Sequence, residues 1–196
     1  VSLTPGSGQG MTQSNHALGV ARHFFGDLTS IAPGVNDAVL FEASHWLTYV
    51  LRYDVGGGID DGQEPTPPRQ VLEPPSQTYM VQNHSYIVPS LGTTARDRSA
   101  LRRFDWLVEN YDVTEVVGAN NAASLVAHPN LLVHSYNAIV VGRTDGLHSR
   151  GATNSVYGVG RYKPDIVAPL NFTSHTTPVV GSAAALLHET GAGTDA

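Results

Sequence analysis

The sequence NFTSHTTPVVGSAAALLHE at residues 171–189 places three threonines, a serine and a proline before an apolar run with helical spacing. Proline is tolerated in the first turn of a helix, where its missing N–H leaves no bond unmade. Pro178 therefore predicts a helix that starts between Ser174 and Thr177, and the apolar run predicts that it continues through Leu187. Ser174 then stands at a helix N-terminus, beside backbone N–H groups without helical partners.

Three interpretations of this stretch are open from the residues alone. Ser174 can cap the helix, as serine and threonine commonly do. It can also act as a nucleophile, because free N–H groups at a helix end stabilise a developing oxyanion. Finally, Asn171-Phe172-Thr173 matches an N-glycosylation acceptor pattern, which is typical of an exposed loop in a secreted protein.

Outward from this stretch, the chain alternates apolar runs with helical patterns. The spacing predicts helices at residues 15–25 and 95–111, and it leaves residues 45–52 open between helix and strand. Apolar runs predict strands at residues 37–43, 78–88, 114–121, 137–143 and 163–169. This alternation predicts an α/β fold with a largely parallel sheet.

Two segments predict irregular structure. Residues 1–13 are rich in glycine, serine and threonine and predict a loop. Residues 55–76 contain four glycines and five prolines, which predict an irregular surface excursion. Function in parallel α/β sheets gathers in the loops after the carboxyl ends of strands. Ser85, Asn120 and the segment after Pro169 fall at such positions.

Composition narrows the functional class. The 196 residues are 41% hydrophobic and 14% charged, which is typical of one globular domain. A formal net charge of -6 argues against a nucleic-acid binder. The sequence has no run of 18 apolar residues, so it predicts no membrane-spanning helix. The sequence contains no cysteine and therefore no disulfide. The nine histidines form no metal-binding motif, since His16 and His23 lie seven residues apart.

The segment TSHTTPVVGSAAALL at residues 173–187 resembles the region around the catalytic serine of the subtilisin-like serine peptidases, or subtilases. That region has the pattern Gly-Thr-Ser-Met-Ala-x-Pro followed by a helix of small residues. Thr173, Ser174 and Pro178 match it.

Further segments resemble the family's other motifs in the family's order. SNHALGVARH and the later turn SIAPGV resemble the histidine motif and its Val-Ala-Pro-Gly turn, with His16 in the place of the base. VQNHSY resembles the substrate-binding strand, with Ser85 in its serine position. VVGANN resembles Ala-Ala-Gly-Asn, with Asn120 in the place of the oxyanion asparagine. YNAIVVGRTD and KPDIVAP resemble the two strands that lead to the nucleophile.

The resemblance implies a three-layer subtilisin-like fold over residues 1–196 and serine endopeptidase activity on a peptide or protein substrate. Ser174 would be the nucleophile and His16 the base, and the Asn120 amide with the Ser174 N–H would stabilise the oxyanion. Ser85, Tyr86 and Gly118 would line the groove and hold an extended peptide by strand addition. The resemblance also implies secretion and leaves calcium binding possible, without an assignable calcium site or any other identified cofactor.

The sequence departs from the family at two places. The family's aspartate precedes the histidine motif, but none of the fifteen residues before His16 is acidic. The aspartate strand and the C-terminal part of the fold are thus expected to be missing, as in a partial catalytic domain. Phe172 stands where the family has a glycine, directly before the Thr-Ser pair, and its bulk could narrow the cleft. A catalytically inactive subtilase-like module that binds peptides or partners is therefore the alternative interpretation.

Overall fold

A computed structural model describes residues 2–5, 14–35, 37–51, 78–122, 128–155 and 158–191. The helices of these residues are α1 (Asn15–Phe25), α2 (Ala43–Tyr49), α3 (Thr94–Tyr111) and α4 (Thr173–Gly191), and a 3₁₀ turn spans Leu131–His134. The strands are β1 (Ser2–Pro5), β2 (Asp37–Leu40), β3 (Val81–His84), β4 (Thr114–Gly118), β5 (Ile139–Arg143), β6 (Gly151–Ser155), β7 (Gly158–Lys163) and β8 (Ile166–Ala168).

The central sheet has four strands in the order β3-β4-β5-β8, and every neighbouring pair is parallel. In its register, Val81 pairs with Thr114 and Val117 pairs with Val140. A parallel pair requires a crossover connection, which α3 supplies between β3 and β4. The structure thereby confirms the predicted α/β class with a parallel sheet.

Helices cover both faces of this sheet. Phe104 and Leu107 of α3 are fully buried and belong to one apolar core with Val117 and Val140. Each such buried side chain contributes about 1.5–3 kcal/mol to folding. The opposite face meets α4, because a Cβ added at Gly118 would lie 2.8 Å from Thr177 Oγ1. Successive strand residues point to opposite faces, which explains why Val117 and Gly118 face different helices.

The predicted helix ends are largely confirmed. Ser14 Oγ accepts a hydrogen bond from the Ala17 N–H at 3.0 Å, and Gly26 follows the last residue of α1. Thr93 Oγ1 accepts from the Arg96 N–H at 3.3 Å and caps α3. These short polar side chains replace the hydrogen bonds that the first helical turn cannot make.

Several predicted boundaries were wrong. β2 ends at Leu40, so the strand expected over residues 37–43 is shorter, and the ambiguous segment at residues 45–52 forms α2 up to Tyr49. The β6–β7 antiparallel hairpin was not predicted. The loop prediction for residues 1–13 was also wrong at Ser2–Pro5, which pairs in parallel with β2. A partner more than thirty residues away in sequence, rather than local composition, makes this segment a strand. Arg52 and the excursion at residues 55–76 lie outside the described residues.

Helix α4 begins at Thr173, before the range of starting residues that the sequence predicts, Ser174 to Thr177. The helix starts at Thr173, so Pro178 lies in its second turn and cannot donate to the Ser174 carbonyl. In the same turn the hydroxyls of Thr176 and Thr177 donate to the Thr173 carbonyl, at 3.0 and 2.6 Å. Side-chain donors thus supplement the first turns of a helix that holds a proline.

Candidate active site

A cleft of about 180 Å³ opens where β3 and β4 end against the start of α4. Its lining contains all six residues that the sequence nominates for catalysis and substrate binding: His16, Ser85, Tyr86, Gly118, Asn120 and Ser174. Four residues that the sequence did not nominate complete the lining: Ile87, Ala119, Asn121 and Thr173. The fold therefore brings together side chains from four separate sequence segments.

Ser174 is the second residue of α4 and is partly buried. Among the described residues its hydroxyl has no hydrogen-bond partner, so the side chain does not cap the helix. The backbone N–H of a residue at this position has no carbonyl one turn earlier in the helix. Ser174 thus presents a hydroxyl and a free N–H at the positive end of α4.

His16 lies near the start of α1 and reaches the end of β3. Its Nε2 is 3.1 Å from the Ser85 carbonyl oxygen, and because a carbonyl only accepts, this nitrogen carries the proton. No hydrogen bond joins His16 to Ser174 or to a carboxylate in the part of the chain that the structure describes. The serine and the histidine share a cleft, but a triad is not assembled.

Two further histidines stand near His16. His175 follows Ser174 in α4, and its ring centroid is 4.9 Å from that of His23 in α1. Burial, followed by the nearby His23 and His16, lowers the pKa of His175. The sequence did not reveal this cluster, because nothing local relates residue 175 to α1. Its effect is to disfavour positive charge beside the cleft.

Asn120 lies in the loop after β4, and both its backbone N–H and its backbone carbonyl form hydrogen bonds with Ser149. Its N–H donates to Ser149 Oγ at 3.1 Å, and its carbonyl accepts from the Ser149 N–H at 2.8 Å. No hydrogen bond occupies its side-chain amide among the described residues. The amide is therefore available as a donor in the cleft.

Asn121, the next residue, caps the helix that carries Ser174. Its Oδ1 accepts a hydrogen bond from the Thr173 N–H at 2.8 Å. This acceptor from a neighbouring loop takes the place of a side chain from the helix itself. The pair Asn120-Asn121 was visible in the sequence, but only the fold assigns the second asparagine to the helix end.

Asn130 ties the two walls of the cleft together from behind. It is fully buried, and its Nδ2 donates to the Gly118 carbonyl at 3.0 Å and to the Tyr86 carbonyl at 3.3 Å. Its Oδ1 accepts from the Val88 N–H at 3.1 Å. One side chain thus links the ends of β3 and β4, and no motif in the sequence pointed to it.

Tyr86 lines the cleft, yet its hydroxyl points into a buried polar network. The hydroxyl lies 2.8 Å from His84 Nδ1, and His84 Nε2 lies 2.5 Å from Glu115 Oε2. Burial and the neighbouring Glu115 raise the pKa of the Tyr86 phenol well above its ordinary value. The phenol is therefore neutral and held in place, so it contributes shape rather than charge to the cleft.

Phe172 does not narrow the cleft as its position in the sequence had led us to expect. Its side chain is half exposed, and its ring packs edge-on against His175 with a centroid distance of 5.5 Å. Phe172 is absent from the residues that line the cleft. The Phe172 ring is accommodated on the side of α4 that carries His175.

A larger open groove of about 700 Å³ lies elsewhere, beside Asp105, Trp106 and Tyr136. The Asp105 carboxylate is already engaged, since its Oδ1 accepts from Ser135 Oγ at 2.6 Å and from two backbone N–H groups. Burial raises the pKa of Asp105. Since none of the nominated residues lines this groove, the smaller cleft is the candidate site.

The described residues contain no group of three or more histidine, aspartate or glutamate side chains placed to hold a metal ion. Likewise, no helix within them is long and apolar enough to cross a membrane. No protein-family model matches the chain, and no curated protein matches it either. The functional assignment therefore depends on the residues of the cleft and on the order of the sequence motifs.

Proposed function

We propose that this chain belongs to a subtilase-type serine endopeptidase in which Ser174 is the nucleophile. The observation that carries the proposal is the convergence of His16, Asn120 and Ser174 on one cleft. The three residues belong to separate sequence motifs, at residues 14–23, 116–121 and 173–187. A hydroxyl, an imidazole and an amide in one cleft at a sheet edge are the groups that acyl transfer requires.

The proposed reaction follows from the chemistry of these groups. Ser174 Oγ attacks the carbonyl carbon of the peptide bond, and His16 takes the hydroxyl proton and passes it to the leaving amine. The Asn120 amide and the Ser174 N–H donate to the oxyanion that forms at the carbonyl oxygen. Water then attacks the acyl-enzyme with His16 as base, which releases the acid and restores Ser174.

Two changes are needed before this reaction can start. His16 Nε2 carries a proton and donates it to the Ser85 carbonyl, so this nitrogen can accept the Ser174 proton only after that bond opens and the ring changes to the tautomer with its proton on Nδ1. An extended substrate that pairs with the end of β3 competes for the same backbone groups. Substrate binding would thereby release the imidazole, and catalytic hydrogen bonds often tighten only in the complex.

The contact between His16 and Ser85 also favours a second candidate, an inactive peptide-binding module of the same fold. In that case His16 holds the wall of the cleft. A binding module needs no catalytic aspartate, so the lack of an acidic residue before His16 has no consequence. The two candidates differ in whether Ser174 forms a covalent bond.

The test is labelling of the full chain with a fluorophosphonate probe, followed by mass spectrometry of the labelled peptide. We expect the label on Ser174 and its loss in Ser174→Ala, whereas Ser90→Ala, which removes an exposed serine outside the cleft, keeps it. A known serine hydrolase labelled alongside shows that the probe is active. An unlabelled Ser174 under these conditions would overturn the peptidase and leave the binding module.

A further inference from the structure

Ser149 is a fully buried serine behind the cleft, and it forms hydrogen bonds with one of the proposed catalytic residues, Asn120. Both hydrogen bonds to the Asn120 backbone come from it: Oγ accepts at 3.1 Å and the N–H donates at 2.8 Å. Asn120 lies beyond the last residue of β4, so the regular ladder of the sheet does not hold it. The position of the Asn120 amide therefore depends on Ser149.

His128 fixes the direction of the Ser149 hydroxyl. Its Nε2 lies 3.2 Å from the Gly151 carbonyl, and because a carbonyl cannot donate, Nε2 carries the proton. In the neutral ring Nδ1 is then an acceptor, and it lies 3.2 Å from Ser149 Oγ. The Ser149 proton consequently points to His128, which leaves the oxygen lone pairs for the Asn120 N–H.

Burial keeps His128 in this neutral form. The residue is only 7% exposed, and burial is the first cause of the lowered pKa of His128. The resulting chain of bonds runs in one direction, from Asn120 through Ser149 and His128 to Gly151. An oriented chain of this kind holds its end group more firmly than an isolated contact does.

The neighbouring backbone reinforces the same arrangement. Asn121 forms an isolated antiparallel bridge with His148, and the Ala122 N–H donates to the Leu147 carbonyl at 3.3 Å. The loop that carries Asn120 is thus paired with the segment that carries Ser149. Donors to an oxyanion are effective only when the protein holds them in place before the charge forms.

We infer that Ser149 is a positioning residue for oxyanion stabilisation, which it serves by holding Asn120 with the help of His128. This inference rests on the proposed peptidase function, since it concerns the donor of that same site. Ser149 touches no substrate itself. Its removal should slow the covalent step, and it should loosen the Asn120 N–H whether or not the chain is active.

The experiment uses the full chain and two measurements. The first is the rate of fluorophosphonate labelling of Ser174, because the phosphoryl oxygen of the probe occupies the oxyanion position. The second is hydrogen exchange of the Asn120 N–H by NMR. We expect Ser149→Ala to slow labelling about tenfold and to speed Asn120 exchange, and Ser149→Thr, which keeps the hydroxyl, to recover both.

Ser135→Ala is the matched control, because Ser135 is also buried but serves Asp105, away from the cleft. It should lower the melting temperature without changing labelling or Asn120 exchange. If Ser149→Ala does not fold, Ser149→Cys keeps the volume with a weak sulfur acceptor and should show the same two changes.

The outcomes separate this inference from the proposed function. Labelling and Asn120 exchange that are unchanged in Ser149→Ala would overturn the inference, as would equal slowing in Ser135→Ala. If the unmodified chain is never labelled, the peptidase proposal fails, and so does the oxyanion role. Asn120 exchange then still decides whether Ser149 holds Asn120.

Discussion

His16 Nε2 lies 3.1 Å from the carbonyl oxygen of Ser85, so the imidazole of α1 is joined to the end of β3 rather than to the serine of α4. This bond specifies the protonated nitrogen of His16 and places the ring in the wall of the cleft. The loss of this bond and a change to the tautomer with the proton on Nδ1 are therefore the first events of the proposed reaction.

His16→Ala should reduce the labelling rate of Ser174 by at least about 10³-fold, because an unassisted serine hydroxyl is a weak nucleophile. The measurement is the time course of fluorophosphonate labelling under conditions in which the unmodified chain labels fully. His23→Ala is the matched control, since it removes a histidine of the same helix that does not line the cleft. Comparable losses in both variants would exclude His16 as the specific base.

Gly118→Ala should lower stability by about 1–3 kcal/mol and also slow labelling of Ser174. The added Cβ would lie 2.8 Å from Thr177 Oγ1, so either the Thr177 side chain must turn and lose its bond to the Thr173 carbonyl or α4 must shift. Urea denaturation measures the free energy of unfolding. Gly34→Ala is the control, because nothing lies within 4 Å of its added Cβ. A Gly118→Ala chain as stable as Gly34→Ala would show that the sheet and α4 are not closely packed there.

Asn121→Ala should cost about 1 kcal/mol of folding free energy, as the loss of a helix cap usually does. The substitution removes the acceptor that Thr173 N–H uses at 2.8 Å, at the end of α4 that carries Ser174. Asn121→Asp retains an acceptor oxygen and should keep most of the stability. Urea midpoints compare the three chains, and an Ala variant equal to the unmodified chain would rule out this capping role.

Stability should fall as the pH is lowered through about 6.5. Burial is the first cause of lowered folded-state pKa values for three histidines: His128, His148 and His175. Their ordinary value is 6.5, so below it the unfolded chain binds protons that the folded chain does not. The free energy of unfolding therefore rises with pH across the window just below 6.5.

The check is the urea midpoint at about pH 5.5 and about pH 7.5. We expect the lower midpoint at the lower pH, and a smaller difference in His175→Ala, which removes one of the three groups. An equal or higher midpoint at the lower pH would contradict the assignment of these rings as neutral in the folded chain.

The sequence by itself determined the elements whose causes are local. Helices α1 and α3 follow from apolar spacing and from caps at Ser14 and Thr93, and the parallel sheet follows from apolar runs alternating with helices. The nominated site residues were found because each lies in a short ordered motif. Local patterns are sufficient here, since side-chain periodicity and capping act over a few residues.

Only the tertiary structure decided the features that depend on distant partners. Ser2–Pro5 is a strand because β2 lies beside it, and Pro178 is tolerated in a second turn in which threonine hydroxyls donate to a backbone carbonyl. The roles of Asn121, Asn130 and Ser149 depend on hydrogen bonds to residues 12 to 52 positions away. A hydrogen bond requires atoms about 3 Å apart, and only the folded chain brings such residues that close.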